Sequence, residues 1–144
     1  MVRSNPEPLT CEGVEVRFGA LRAVDGAHLS VEAGELVALL GRSGSGKTPL
    51  LRAIAGFERA TAGEIRIGGR LVESPTVSVP AHRRSVGLVF QDARLFPHLD
   101  VRRNLAFAER RRPRAARGLS VAEAAQHFDI ADLLDRPVGN LSGG

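Results

Sequence analysis

A glycine-rich octapeptide is the part of this sequence whose residue types and spacing best support a chemical function. It reads Gly41-Arg-Ser-Gly-Ser-Gly-Lys-Thr48 and satisfies the pattern G-x-x-x-x-G-K-[ST] at every fixed position. Glycines let successive backbone N–H groups turn towards one anion, and the start of a helix adds partial positive charge. This octapeptide, which we call the phosphate loop, therefore predicts a binding site for a polyphosphate such as ATP.

Two side chains at the end of the phosphate loop carry its strongest electrostatics. Lys47 is the only lysine among 20 basic residues, and its ammonium is expected to reach the β- and γ-phosphates. The hydroxyl of Thr48 is expected to ligate the Mg²⁺ ion that bridges them. The alternative is a glycine-rich turn that binds nothing. We predict that ATP contacts Gly41, Arg42, Ser43, Gly44, Ser45, Gly46, Lys47, Thr48 and Pro49.

Pro49 departs from what a phosphate-binding helix normally offers. It lies where a backbone N–H is usually supplied near the α-phosphate, and proline has no N–H to donate. The helix itself is compatible with a proline in its first turn. A lost hydrogen bond to a charged group costs about 1.5–3 kcal/mol, so we expect nucleotide to bind roughly ten- to a hundredfold more weakly than with Ser or Thr here.

The elements on either side of the phosphate loop must position it. The apolar run at 36–40 predicts a strand that is buried on both faces. After the loop, Leu50, Leu51 and Ile54 recur at helical spacing, and Gly56 predicts the end of that helix. The order strand, loop, helix is the context that a phosphate-binding loop requires.

Other segments predict a mixed sheet that precedes a helical section. Partly alternating stretches at 9–18 and 27–31, separated by turn residues Gly19, Asp25 and Gly26, predict antiparallel strands. Further strands are predicted at 64–67, with a hairpin turn at 68–69, and at 85–90, with loop-like residues at 71–84 between them. Helices are predicted to begin at Asp100 and at Ser120, where Glu123 would complete a capping box.

Segments beyond the phosphate loop resemble the ATPases of ABC transporters. Leu141-Ser-Gly-Gly144 resembles the start of the ABC signature LSGGQ and lies at the distance from Lys47 that the family shows. Residues 86–91 resemble the strand that leads into the family's Q-loop, and residues 95–105 resemble the segment after the Q-loop in importer ATPases. Phe18 matches the aromatic position that stacks on adenine.

The resemblance covers essentially the whole chain and implies its fold. The expected class is α/β, with a P-loop NTPase core, an N-terminal antiparallel β section and a partial helical subdomain, together an incomplete ABC ATPase domain. Residues 1–144 would form one partial domain. About 1–90 would be the nucleotide-binding core, and about 91–144 the Q-loop and a helical subdomain that ends at the signature.

The resemblance also implies roles for single residues. Lys47 and Gln91 would contribute to catalysis, with the Gln91 amide oxygen near Mg²⁺ and the attacking water. The signature would bind the γ-phosphate of ATP held by a second ATPase subunit, so that a homodimer encloses two ATP molecules. The signature residues are Leu141, Ser142, Gly143 and Gly144.

Three alternatives to these roles stay open at the level of sequence. Phe18 is also compatible with ordinary core packing, and residues 141–144 with a terminal turn. Asp92 could be read as the metal-binding aspartate at the end of a strand. Against that, Gln91 stands between the strand and Asp92 and reverses the side-chain direction.

As an importer subunit, the protein would couple ATP hydrolysis to solute import through transmembrane permease subunits, with residues 91–108 against the permease. A solute-binding protein would be an indirect partner. The protein would lie in the cytoplasm, peripheral on the inner face of the cell membrane. Residues 90–99 and 134–144 look most like molybdate-importer ATPases, although sulfate, iron and polyamine importers have similar segments.

Composition limits the partners, metal sites and membrane segments that the chain is expected to have. The net charge is +4, but the arginines are scattered, so no nucleic-acid partner is expected. The dense run at 109–117 is a solvated loop or a phosphate-binding patch. The single Cys11 forms no internal disulfide and excludes a cysteine-rich metal site. No apolar run has the length of a membrane span, and residues 1–16 lack the apolar region of a signal peptide.

Two catalytic parts of the family's pattern are missing, namely the strand that ends in Asp-Glu and the switch histidine. We expect His28, His82, His98 and His127 to be surface or packing residues instead. The chain is therefore expected to bind nucleotide weakly, to hydrolyse it negligibly and to be marginally stable. A non-catalytic nucleotide-binding fragment stays an alternative. So does a DNA-repair-type ABC ATPase, which would carry a long insertion where this chain has about fifty residues after Gln91.

Overall fold

The computed structural model describes residues 7–91, 94–111 and 118–141. Contacts divide the chain into two compact units, with the boundary along the sequence between Val89 and Phe90. The N-terminal unit contains the phosphate loop, and the C-terminal unit contains residues 90–144.

The N-terminal unit is built on a four-stranded antiparallel sheet. Its strands are β1 Leu9–Phe18, β2 Leu21–Val31, β3 Ala62–Ile67 and β4 Arg70–Glu73. Their order in the sheet is β2-β1-β3-β4. The predicted antiparallel section is confirmed, as is the hairpin between β3 and β4. The expectation of a loop throughout residues 71–84 is wrong at its start, because Val72 and Glu73 are buried in β4.

The β1–β2 hairpin contradicts the expectation of a turn at Asp25 and Gly26. Asp25 and Gly26 do not form a turn, because β2 runs through them and begins at Leu21. Val14 pairs with Ala27 and Val16 pairs with Val24, so β2 has one more residue than β1 between these pairs. Gly26 has φ 64°, a left-handed conformation that favours glycine, and it lies in this β-bulge.

Helix α1, Lys47–Ala55, follows the phosphate loop and packs against the sheet. It ends at Gly56, which has φ 84°, so the predicted helix and its terminator are confirmed. Leu50, Ala53 and Ile54 form its buried face. They share one core with sheet residues Cys11, Val14, Val16, Val24, Ile65, Ile67 and Val72, and with Ala60.

Two predicted strands are absent from the described residues. The segments 36–40 and 85–90 have no regular structure, and Leu36, Leu40 and Val89 are each more than nine-tenths exposed. A strand needs a hydrogen-bonding neighbour, and neither segment pairs with any strand of the sheet. Their apolar composition predicts burial, but both segments leave apolar side chains exposed among the described residues.

The C-terminal unit contains helices α2 Val101–Arg111 and α3 Val121–His127. Both predicted helix starts are confirmed. Asp100 Oδ1 accepts a hydrogen bond from the Arg103 N–H at 2.7 Å, and Ser120 and Glu123 form the reciprocal capping box. A small apolar core of Val101, Ala125 and Leu134 joins the two helices to the segment after α3. Within the three described ranges, no helix has the length and apolarity to cross a membrane.

Candidate nucleotide-binding site

Gly46 fixes the phosphate loop against β2. It is the residue before α1 and has φ 88°, a conformation that favours glycine. A Cβ at this position would collide with the backbone carbonyl oxygen of Ala23 in β2. The close approach of loop and strand therefore requires glycine, and it places the start of α1 beside the sheet.

The rest of the loop forms a tight turn that is closed by a backbone hydrogen bond. The Ser45 N–H donates to the Arg42 carbonyl oxygen at 3.2 Å, and Gly44 has φ 81°. A Cβ on Gly41 would lie 2.6 Å from Ser45 Oγ. Gly44, by contrast, has nothing within 4 Å of such a Cβ, so its glycine is required by conformation and not by space.

The start of α1 is electrostatically open to an anion. No side chain caps it, and its first turn contains no acidic residue. The N–H groups of Lys47 and Thr48 have no acceptor within the helix, since the first turn of a helix leaves its donors free. Partial positive charge at this end adds to their effect. Pro49 is the third residue of α1 and contributes no donor.

Lys47 places the only lysine ammonium of the chain in the middle of the phosphate loop. Its Nζ donates to the carbonyl oxygens of Gly41 and Arg42, each at 2.7 Å, and to Ser45 Oγ at 3.1 Å. An ammonium has three protons, so these acceptors use all of them. A phosphate oxygen reaching this point would find a positive charge already held by the loop.

A cavity of about 580 Å³ adjoins the phosphate loop. This volume is in the range of small-molecule sites. Arg22 and Asp25 of β2 stand on its wall, joined by a hydrogen bond of 2.7 Å that raises the pKa of the Arg22 guanidinium. The lining comprises Arg22, Ala23, Val24, Asp25, Ala27, His28, Leu39, Leu40, Gly41, Gly44, Ser45, Gly46, Lys47 and Leu50.

His28 is a cavity residue that the sequence does not identify. The sequence predicts a surface or packing role for it, and the structure leaves it exposed on the wall of the cavity beside the phosphate loop. The β-bulge at Asp25 and Gly26 interrupts the two-residue alternation of β2. Alternation alone therefore cannot indicate which β2 side chains border the site.

Several other predicted site residues are not among the described residues that line this cavity. Phe18 is the last residue of β1, is 43 % exposed and is not part of the lining. Thr48 is exposed on α1 and also outside the lining. Gln91 and Leu141 belong to the C-terminal unit, where Gln91 is exposed and Leu141 packs against the apolar core. Asp92 and the signature residues Ser142, Gly143 and Gly144 lie outside the described residues.

The donor set fits a magnesium ion only together with phosphate oxygens. Over the described ranges, no three residues of the types His, Cys, Asp and Glu are grouped as a metal site. The hydroxyl of Thr48 is a hard oxygen ligand at the helix start. It is compatible with an ion that arrives with the nucleotide and keeps several waters.

The other end of α1 is held by a buried ion pair. Arg84 and Glu73 have fully buried side chains and form a salt bridge. The Arg84 Nη1 donates to the carbonyl oxygens of Ala53 at 2.7 Å and Ile54 at 3.2 Å, and its Nε donates to the Val79 carbonyl oxygen at 2.6 Å. No periodic pattern indicates this pair, since Glu73 falls where the sequence predicts a loop.

Comparison with known proteins gives a consistent result. The family model described as ABC transporter matches residues 24–144. The molybdenum import ATP-binding protein ModC 2 of Azotobacter vinelandii is 48 % identical over 137 residues, which cover 92 % of this chain and 37 % of that protein. The Fe(3+) ions import ATP-binding protein FbpC of Streptomyces coelicolor is 45 % identical over 141 residues, covering 96 % of this chain and 39 % of that protein.

Solved structures agree with the sequence relatives. An ATP-binding cassette of an ABC transporter in its ADP conformation superposes with a TM-score of 0.70 at 27 % identity, covering 95 % of this chain and 59 % of that one. The chain thus spans less than two fifths of the length of the two curated relatives.

Proposed function

This chain belongs to the ABC transporter family, and from that premise we propose that it is the nucleotide-binding part of an importer's ATPase subunit. The observation that carries the proposal is the position of Lys47. Its Nζ lies within 2.7 Å of two carbonyl oxygens of the phosphate loop, at an uncapped helix start that borders a nucleotide-sized cavity. A γ-phosphate at this point would gain a full charge and several backbone donors at once.

Within the N-terminal unit, the phosphate loop has the central role. Its backbone N–H groups bind the phosphate oxygens, and Lys47 neutralises charge at the β- and γ-phosphates. Thr48 would hold Mg²⁺, which would neutralise phosphate charge when bound. Phe18 is proposed to contact adenine from the end of β1. In the transition state of phosphoryl transfer, negative charge is spread over the oxygens of the γ-phosphoryl group. Fixed hydrogen-bond donors at this point therefore favour that state.

The roles of the C-terminal unit are proposals that rest on the family. Gln91 would orient water and contact Mg²⁺. Residues Leu141 to Gly144 would bind the ATP of a second ATPase subunit in a homodimer. The unit would dock residues 91–108 on transmembrane permease subunits at the inner face of the membrane, with a solute-binding protein as an indirect partner.

Molybdate or a similar oxyanion is the proposed solute. A molybdenum import protein and a ferric-iron import protein are both relatives at more than 40 % identity. The molybdate proposal is supported further by the segments 90–99 and 134–144, which resemble molybdate-importer ATPases.

The proposed function can be tested by uptake in the source organism. A strain deleted for the complete gene would be supplied with the wild-type gene, Lys47→Ala, or the control Arg66→Ala on the exposed surface of β3. We expect the wild type and Arg66→Ala to restore uptake of labelled molybdate, and Lys47→Ala to fail at equal protein level. Rescue by Lys47→Ala would contradict the proposal. Restored uptake of ferric iron instead of molybdate would overturn only the solute assignment.

A further inference from the structure

The start of α2 is capped by backbone atoms from another part of the C-terminal unit. The Val101 N–H donates to the Arg136 carbonyl oxygen at 3.2 Å, and the Arg102 N–H donates to the Leu134 carbonyl oxygen at 2.8 Å. These are two of the donors that the first turn of a helix leaves without an acceptor inside the helix. Residues 134–137, which we call the capping segment, therefore form part of the cap of α2.

Side chains reinforce the contact between α2 and the capping segment. The Arg102 Nε donates to Asp135 Oδ1 at 3.0 Å, and its Nη2 donates to Asp135 Oδ2 at 3.3 Å, so the pair is bidentate. This hydrogen bonding lowers the pKa of the Asp135 carboxyl below its ordinary value. Asp100 forms an antiparallel bridge with Pro137. Contacts with the start of α2 thus extend from one end of the capping segment to the other.

The capping segment leads to the start of the signature. Its first residue, Leu134, is buried in the small apolar core of this unit together with Val101. Leu141, the first signature residue, packs against the same core, and its N–H donates to the Val138 carbonyl oxygen at 3.2 Å. The chain between Leu134 and Leu141 is therefore held at both ends by the core and along its first part by α2.

Two neighbouring arginines in the first turn of α2 have different partners. Among the described residues, Arg102 is the α2 side chain whose ion pair reaches the capping segment. Arg103 pairs instead with Asp100 at the helix start, where its Nε lies 3.5 Å from Asp100 Oδ2. A substitution of Arg103 therefore removes an arginine and an ion pair from the same helix turn without removing a contact to Asp135. This makes Arg103 a matched control for Arg102.

We infer that Arg102 is a positioning residue that holds the capping segment on α2 and thereby fixes the direction in which the chain enters the signature. This inference rests on the proposed function, in which the signature binds ATP held by a second subunit. A preformed site binds more tightly, because the cost of ordering it has already been met in folding. Loss of the Arg102 contacts weakens the ATP-dependent pairing of two subunits and leaves nucleotide binding at the phosphate loop unchanged.

Sedimentation equilibrium of the complete gene product with β,γ-imido-ATP and Mg²⁺ measures the pairing. We expect Arg102→Ala to weaken association about two- to fivefold, the range for one ion pair whose side chains are 51 % and 81 % exposed. A proline is tolerated in the first turn of a helix, so Arg102→Pro keeps α2 while it also removes the backbone donor to Leu134. Its association should weaken roughly tenfold. Arg103→Ala should associate as the wild type does.

An exchanged pair tests whether the contact with Asp135 is the cause. Arg102→Asp combined with Asp135→Arg restores an ion pair in the opposite order, so its association should return to within about twofold of the wild type. Calorimetric titration with ADP measures the phosphate loop separately, because ADP lacks the γ-phosphate that the signature is proposed to bind. ADP affinity should stay within about twofold in every variant.

The outcomes separate the inference from the proposed function. Wild-type association of both Arg102→Ala and Arg102→Pro overturns the inference, and so does a loss of ADP affinity equal to the loss of association. A wild-type subunit that binds ADP but does not pair overturns the inference together with the proposed homodimer. A wild-type subunit that binds no nucleotide overturns the proposed function itself.

Discussion

Gly46 and Lys47 give the phosphate loop its close approach to β2 and its positive charge. A Cβ added at Gly46 would collide with the backbone carbonyl oxygen of Ala23, so only glycine fits there. The Lys47 Nζ donates to the carbonyl oxygens of Gly41 and Arg42, which holds the ammonium inside the loop.

Pro49 gives the sharpest residue-scale prediction. Pro49→Thr and Pro49→Ala both restore a backbone N–H in the first turn of α1, close to the predicted α-phosphate position. We expect either variant to raise ATP affinity roughly ten- to a hundredfold in the complete gene product, measured by calorimetry. Alanine is the matched control for the side chain of threonine. If only the threonine variant gains affinity, the missing N–H is not the cause.

Cys11 gives a prediction of pH dependence. Its side chain is buried, and burial raises the pKa of the thiol from its ordinary value of 9.0 to about 11. Below about pH 9 the thiol is protonated in both folded and unfolded chains. Between about pH 9 and 11 the unfolded chain ionises first, so the free energy of unfolding should decrease. Urea unfolding at about pH 8 and about pH 10 should show a larger decrease for the wild type than for Cys11→Ala, and an equal decrease would refute this assignment.

At the scale of elements, the sequence predicts best those segments whose partners are close in the chain. Alternation, glycine stops and capping residues predict the β1 and β3 strands, helix α1 and both helix starts of the C-terminal unit. Apolar runs alone predict strands at 36–40 and 85–90, and there the prediction is wrong. An apolar run indicates that its side chains favour burial. It does not identify the neighbouring strand that would have to pair with it.

The buried Arg84–Glu73 pair is expected to stabilise the end of α1. Glu73→Leu leaves the Arg84 charge buried without a carboxylate, at a cost of about 3–5 kcal/mol in the free energy of unfolding, measured with urea. Arg84→Met should cost less, because Glu73 keeps an ion pair with Arg59, whose Nε lies 3.2 Å from Glu73 Oε1. The double variant should lose less than the sum of the two single variants, because no buried charge remains without its partner.

An exposed pair provides the control for that prediction. Arg66 and Glu64 form a salt bridge at 2.7 Å with both side chains more than two fifths exposed. Arg66→Ala should change the free energy of unfolding by less than about 1 kcal/mol. Additive losses in the Arg84 and Glu73 double variant would show that the two side chains do not act as a pair.

On the scale of the molecule, the described residues leave large apolar side chains uncovered. Leu36, Leu40 and Val89 are 97 %, 91 % and 96 % exposed. Such surface promotes association. We expect the isolated 144-residue chain to self-associate in sedimentation velocity, and Leu36→Ser combined with Val89→Ser to reduce that association. Leu21→Ser, which removes an exposed leucine from β2, should have a smaller effect. A monodisperse monomer with a sharp thermal transition would contradict this prediction.

The sequence predicts the chemistry of the candidate site, but it predicts only part of the cavity lining around the phosphate loop. Residue types and spacing indicate the phosphate loop, because its function depends on local backbone geometry and one lysine. The contribution of β2, including Arg22, Asp25 and His28, arises from tertiary packing across a β-bulge. The roles of Phe18, Gln91 and the signature depend on parts of the molecule that residue types alone cannot bring together, and they stay predictions.

Calorimetric titration of the complete gene product with ATP and Mg²⁺ tests the central claim most directly. We predict saturable binding that depends on the phosphate loop and that weakens roughly ten- to a hundredfold in Lys47→Ala, because the ammonium held by Gly41 and Arg42 is lost. Arg66→Ala on β3, outside the cavity lining, should bind as the wild type does. Wild-type protein that fails to bind ATP, or Lys47→Ala that binds it equally well, would contradict the account.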